Sequence, residues 1–166
     1  MAEPSISVSR DIQSPAARIF SVLARPSAHV DVDGSGMLRT ALEDVVISKV
    51  GDVFALTMFN DEIGAYVMEN RVVDFEPERR IVWEPVMRSV DKPELQSNVG
   101  NPAHHRWGWK LEALDDGRTR VTEFFDCSRS PDWLQEATKG GERWRPAIEA
   151  SLENLERLVL GSPRVP

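Results

Sequence analysis

The chain has 166 residues, 41% of them hydrophobic, a formal net charge of -7 and a single cysteine. That size suits one core, so residues 1–166 are expected to form one domain, and an acidic balance with no Lys/Arg run argues against nucleic-acid and anionic-membrane surfaces. A lone Cys127 excludes an internal disulfide, no apolar run approaches the ~20 residues of a membrane span, and no basic-then-apolar leader is seen, so the expected location is cytoplasmic.

Ile6, Val8 and Ile12 alternate with Ser5, Ser7, Ser9 and Asp11, the period of a strand with one buried face; Arg10 interrupts it and reads as an end. Ser14-Pro15 offers an N-cap followed by proline at the first helical position. Ala16, Ile19, Phe20 and Leu23 then give a short amphipathic helix that Arg25-Pro26 closes, with a turn expected around 27–30. Asp31, Asp33 and Ser35 with Gly36 match the start of a calcium loop, but Arg39 and Leu42 stand at its ninth and twelfth positions, so a plain turn is favoured.

Strand patterns follow at about 37–42, 53–60, 65–75, 80–87, 104–114 and 118–126, separated by turn-like residues. The segment 45–50 reads as a connection, and 88–103, with Pro93, Gly100 and Pro102, as a long loop over one end of the sheet. Asp115-Asp116-Gly117 is the clearest hairpin turn, a three-residue loop with glycine left-handed. In the last segment Trp144, Ile148, Leu152, Leu155 and Val159 form one apolar stripe, opposite Glu149, Glu153, Glu156 and Arg157. Glu153 and Arg157 sit four apart, a modest stabiliser, and Gly161 with Pro163 supplies the stop, which predicts a helix over Arg145–Leu160. The chain therefore reads as α+β: six or seven antiparallel strands, a pair of short helices after the first, and a long C-terminal helix.

The stretches 14–20, 33–36, 71–77, 80–83 and 117–123, in this order and with the long helix last, resemble the START-like (SRPBCC) superfamily of helix-grip folds. The resemblance is closest to its bacterial polyketide cyclase/dehydrase-like members and more distant to the plant pollen-allergen fold and Hsp90-activator-like proteins. It implies a curved sheet gripping the final helix and an apolar cavity between them for a lipid, polyketide or similar hydrophobic small molecule. It implies no shared catalytic residue. The 88–103 loop is longer than the resemblance leads one to expect, and Gly140-Gly141 loosens the approach to the last helix.

In the sixth strand His105, Trp107, Trp109 and Leu111 share a face, taken as inward. A three-residue hairpin places Leu111 opposite Val121, Trp109 opposite Glu123 and Trp107 opposite Phe125, whereas a two-residue loop would turn Glu123 outward. Trp83 shares the inward parity of Ile81; Tyr66 and Met68 lead the first half of the fourth strand but Val73 and Phe75 its second, which predicts a bulge. Tyr66, Met68, Trp83, Trp107, Trp109, Phe125, Trp144 and Ile148 are thus the candidate cavity lining, with simple core filling the plain alternative for the tryptophans.

Glu123 is an acid on an otherwise apolar face. Burial would raise its pKa and make it a proton donor or ligand anchor, with His105 as partner, unless it is paired with Arg106 or Arg120. His104-His105 lacks metal-site spacing and Cys127 reads as a structural thiol, so no metal or cofactor is expected. Three functions remain open: a carrier or sensor of a hydrophobic small molecule, which is favoured; a cyclase- or dehydratase-type enzyme using Glu123 and His105; and a protein-interaction module using the 88–103 loop. The expected assembly is a monomer or homodimer.

Overall fold

A computed structural model describes residues 3–161. Seven antiparallel strands form one sheet: β1 (Ile6–Ile12), β2 (Leu38–Ala41), β3 (Val53–Asn60), β4 (Gly64–Glu76), β5 (Arg80–Val90), β6 (Arg106–Ala113) and β7 (Thr119–Asp126), in the order β1-β7-β6-β5-β4-β3-β2. Two short helices, α1 (Ala16–Leu23) and α2 (Pro26–Val32), follow β1; α3 (Asp132–Ala137) follows β7; α4 (Arg145–Leu160) ends the described chain. This is the helix-grip arrangement, with α4 lying against α1, α2, β1 and β7.

The alternation in the strands decides which face α4 meets. Ile148, Leu152, Leu155 and Val159 of its stripe are buried in one continuous core with Ile6, Ile12, Ile81, Trp109, Val121 and Phe125 of the inner sheet face and with Ile19 and Leu23 of α1. Trp144 precedes the helix in a 3-10 turn and is half-buried. Gly161, at φ 70, caps the helix by donating to the Arg157 carbonyl; Pro163 lies outside the described residues. The loop from α2 to β2 is clamped onto α4. A Cβ on Gly34 would stand 2.3 Å from the Ala147 carbonyl oxygen, and the Gly34 N–H donates to Ser151 Oγ at 2.8 Å.

Several local expectations are revised. Arg10 does not end β1 but sits within it and reaches Glu156 of α4 at 2.9 Å. Helix α1 begins one residue later than the Ser14 cap implies: Pro15 is the cap residue, and Ser14 Oγ is buried without a partner. The turn at 27–30 is helix α2, because Pro26 at N1 starts it and Pro26, His29 and Val32 give it a buried face. Strand β5 runs on to Val90, and the loop beyond it holds a 3-10 helix, Pro93–Asn98. Helix α3 was not anticipated. Arg157 donates to Asn154 rather than pairing with Glu153.

Candidate functional site

The hairpin joining β6 and β7 closes through three residues, with Gly117 at φ 78. The register is therefore the inward one: Trp107 opposite Phe125, Trp109 opposite Glu123, Leu111 opposite Val121. Extending the ladders across the sheet gives two rows on the inner face, Glu123–Trp109–Ile81–Phe75 and Phe125–Trp107–Trp83–Val72. The step from Val72 to Phe75 is possible because the register shifts between Val72 and Asp74, the expected bulge; its consequence is that Val72, not Val73, takes the fully buried place.

The ten residues singled out from the sequence share this interior. Tyr66, Trp83, Trp109, Phe125, Ile148 and Glu123 are buried; Met68, His105, Trp107 and Trp144 are half-buried. The aromatic rings near the start of α4 form a cluster, with Trp107 and Phe125 centroids 4.8 Å apart, Trp107 and Trp144 5.9 Å, and His105 and Phe125 5.8 Å.

Three polar atoms in this interior have no partner: Glu123 Oε2, His105 Nδ1 and Trp144 Nε1. Glu123 is only 9% exposed, and neither salt bridge foreseen for it forms, since Arg106 goes to Glu84 and Arg120 to Asp11. Burial first, and then the Asp33 carboxylate, raise its pKa well above the ordinary value, which favours the neutral carboxyl. Tyr66 is pushed up to about 12 by the same two influences in the same order. His105 is driven down to about 4 by burial, against the opposing pull of Glu84, and is neutral.

His105 lies just ahead of β6 rather than within it, its ring packing 5.8 Å from that of Phe125, and no hydrogen bond joins it to Glu123, since Nδ1 of the one and Oε2 of the other have no partner. His104 ends the regular strand at φ 57 and sits 3.4 Å from Glu84, on the outside.

Two further buried polar residues, His29 and Asn70, and the half-buried Asp33 were not foreseen near this face. His29 of α2 is buried, hydrogen-bonded through Nε2 to the Leu23 carbonyl at 2.7 Å and stacked on Trp83 at 5.4 Å. Asn70 donates to the Phe54 carbonyl at 3.3 Å. Asp33 accepts from the Ser35 and Leu38 N–H groups and the Ser35 hydroxyl, so the acidic loop is a self-satisfied turn; no cluster of metal-binding side chains occurs among the described residues. A helical reading of 26–32 would have exposed the Pro26-His29-Val32 face and with it His29.

Two open depressions lie elsewhere. One of about 580 Å³ is lined mainly by residues of outward parity, Arg39, Thr57, Phe59, Ala65, Val67 and Ser89, and also reaches Met58, Tyr66 and Asp91; a second of about 310 Å³ lies between α2 and β2. Neither lining includes a buried polar atom without a partner, which is why the inner face is taken as the candidate site.

No protein-family model matches the chain. It is 31% identical over 121 residues to uncharacterized protein Rv0088 of Mycobacterium tuberculosis H37Rv and 30% identical to uncharacterized protein MT0096 of strain CDC 1551. Each match covers 73% of this chain and 46% of the relative, so the chain spans about half the length of the curated relatives it matches. Similar solved structures include protein CV1439 of Chromobacterium violaceum (TM-score 0.64, 17% identity, 96% of this chain and 98% of that one) and protein Ms6760 of Mycobacterium smegmatis (0.67, 15%, 95% and 91%). A Staphylococcus epidermidis protein solved by NMR gives 0.68 at 12% identity, over 100% of this chain and 96% of that one. These likenesses establish the fold.

Proposed function

We propose that this protein binds a hydrophobic small molecule between the inner sheet face and α4, as the resemblance to START-like, polyketide cyclase/dehydrase-related proteins implies. The observation that carries this reading is the set of buried, unpartnered polar atoms on an aromatic face: Glu123 Oε2, His105 Nδ1 and Trp144 Nε1. Leaving a buried donor or acceptor unpaired costs on the order of 1–3 kcal/mol, and a ligand carrying a few polar groups on an apolar body would satisfy them.

Entrance is through the segment 139–144. Lys139, Gly140 and Gly141 have consecutive positive φ values of 52, 63 and 96, which the two glycines adopt freely and only Lys139 adopts against a Cβ penalty. The closing contact is exposed: Arg143 bridges to Glu62 in the β3–β4 turn at 3.2 Å. Native mass spectrometry of the protein purified from its own host tests the proposal. The expected result is an apolar adduct released by denaturation; a bare mass, with no adduct after incubation with a neutral naphthalene alcohol, would overturn it.

In the enzymatic alternative Glu123, buried and with its pKa raised, would serve as the proton donor.

A further inference from the structure

The electrostatics of the inner face narrow the ligand class. Among the described strand residues of inward parity the one Lys or Arg is Arg10, on the edge strand, and it is already bound to Glu156. Of the other basic side chains of the central strands, Arg80 goes to Asp74, Arg106 to Glu84, Arg120 to Asp11 and Lys110 over the Phe124 ring, Arg71 takes outward parity opposite Glu84, and Arg88 is exposed at the register shift of β5. What faces the interior is an acid without a counter-ion, Glu123, with a second carboxylate, Asp33, acting on it. Trp109 lies directly across the ladder, and Trp107, Trp83 and Phe125 fill the next row.

We infer that the ligand of this site is a hydrophobic amine, its nitrogen placed at Glu123 and its apolar body along the tryptophan rows. This rests on the inner-face binding reading above. An ammonium lets Glu123 ionise on binding and then serves as its counter-ion, gains from indole faces through cation–π attraction, and is favoured by the Asp33 carboxylate. A carboxylate or phosphate ligand would meet the Asp33 carboxylate, with the one inward-facing cation of the regular strands, Arg10, already bound to Glu156. An alcohol would satisfy Glu123 by a neutral hydrogen bond only.

Proton balance gives an independent signature. The free site holds a neutral carboxyl and the free ligand is an ammonium ion; the complex keeps one acidic proton between them, whichever group carries it. Binding below the titration range of Glu123 therefore releases about one proton per amine and none per alcohol.

The test is calorimetry of naphthylmethylamine, naphthylmethanol and naphthoate with the full chain, in two buffers of different ionisation enthalpy at mildly acidic pH, for wild type and Glu123→Gln. In wild type the amine should bind at least about tenfold tighter than the alcohol, and naphthoate weakest, with proton release for the amine alone. In Glu123→Gln the amine should lose its advantage and its proton release while the alcohol binds as before. Equal or reversed preference in wild type overturns the amine inference and leaves the binding reading intact, as does amine binding indifferent to the substitution, which would mark attraction to the acidic surface. If none of the three probes binds wild type, the inner-face reading itself fails. The wild-type preference series holds whether or not the variant folds.

Discussion

At the scale of single residues, Glu123 and His105 make opposite demands on pH. Glu123 titrates from its ordinary 4.5 in the unfolded chain but well above that when folded, so its contribution is intact below 4.5 and declines as pH rises through the folded value, because the unfolded state gives up a proton the native state keeps. Glu123→Gln removes this dependence. Urea denaturation across pH should show the variant gaining on wild type from acid to neutral pH; parallel curves would mean that the carboxyl is not buried neutral. His105 is neutral in both states above 6.5, and between 6.5 and about 4 only the unfolded state binds the proton, so stability falls as pH falls through that window. An NMR titration of the ring should give a midpoint near 4; a midpoint near 6.5 would place His105 in solvent.

At the scale of elements, the α2–β2 loop and α4 form one unit through Gly34. Replacing Gly34 by alanine drives a Cβ against the Ala147 carbonyl, which belongs to the helix backbone and cannot rotate away, whereas alanine at Gly108 meets only the Phe124 ring, at 2.3 Å. Both overpack, at a cost of about 1–3 kcal/mol or more, and thermal melts should show Gly34→Ala the less stable of the two. The reverse order would mean the loop is free to lift from α4. The segment 139–144 should exchange its amide hydrogens faster than β6 and β7; equal protection would contradict an entrance there.

The strands and α4 were legible because each has one polar face, which gives the alternation of β1 and the three- and four-residue steps from Ile148 to Val159 a single reading. Of the short helices, α1 was legible from its Ser14-Pro15 start and apolar spacing, whereas α3 was not. Ser130-Pro131 before α3 has the same Ser-Pro start as Ser14-Pro15 before α1, but the six residues from Asp132 carry no buried stripe, and Trp133 is 57% exposed. Glu123 could be placed inward from the sequence because one feature, the three-residue loop ending in Gly117, sets the parity of all of β7. What no pattern could supply were contacts between distant segments: Asp33 acting on Glu123, His29 against Trp83, and the diversion of Arg106 and Arg120 to other acids.

At the scale of the whole molecule, charge is sorted by layer. Basic groups are engaged in ion pairs on the outer face and rim, and the interior keeps an unpaired acid among indoles. Such an interior is poorly satisfied by its own side chains, and that deficit is the basis for a ligand. No helix of the described residues is long and apolar enough to cross a membrane. The outer depression at Arg39, Phe59 and Val67 is the competing location, since its opening is already present. Heteronuclear NMR during titration with naphthylmethanol separates the two most directly. Binding within the helix-grip interior predicts shifts at the Trp107 and Trp109 indoles and the Ile148 methyls, while shifts confined to Thr57, Phe59 and Val67, or none at saturating probe, would contradict it.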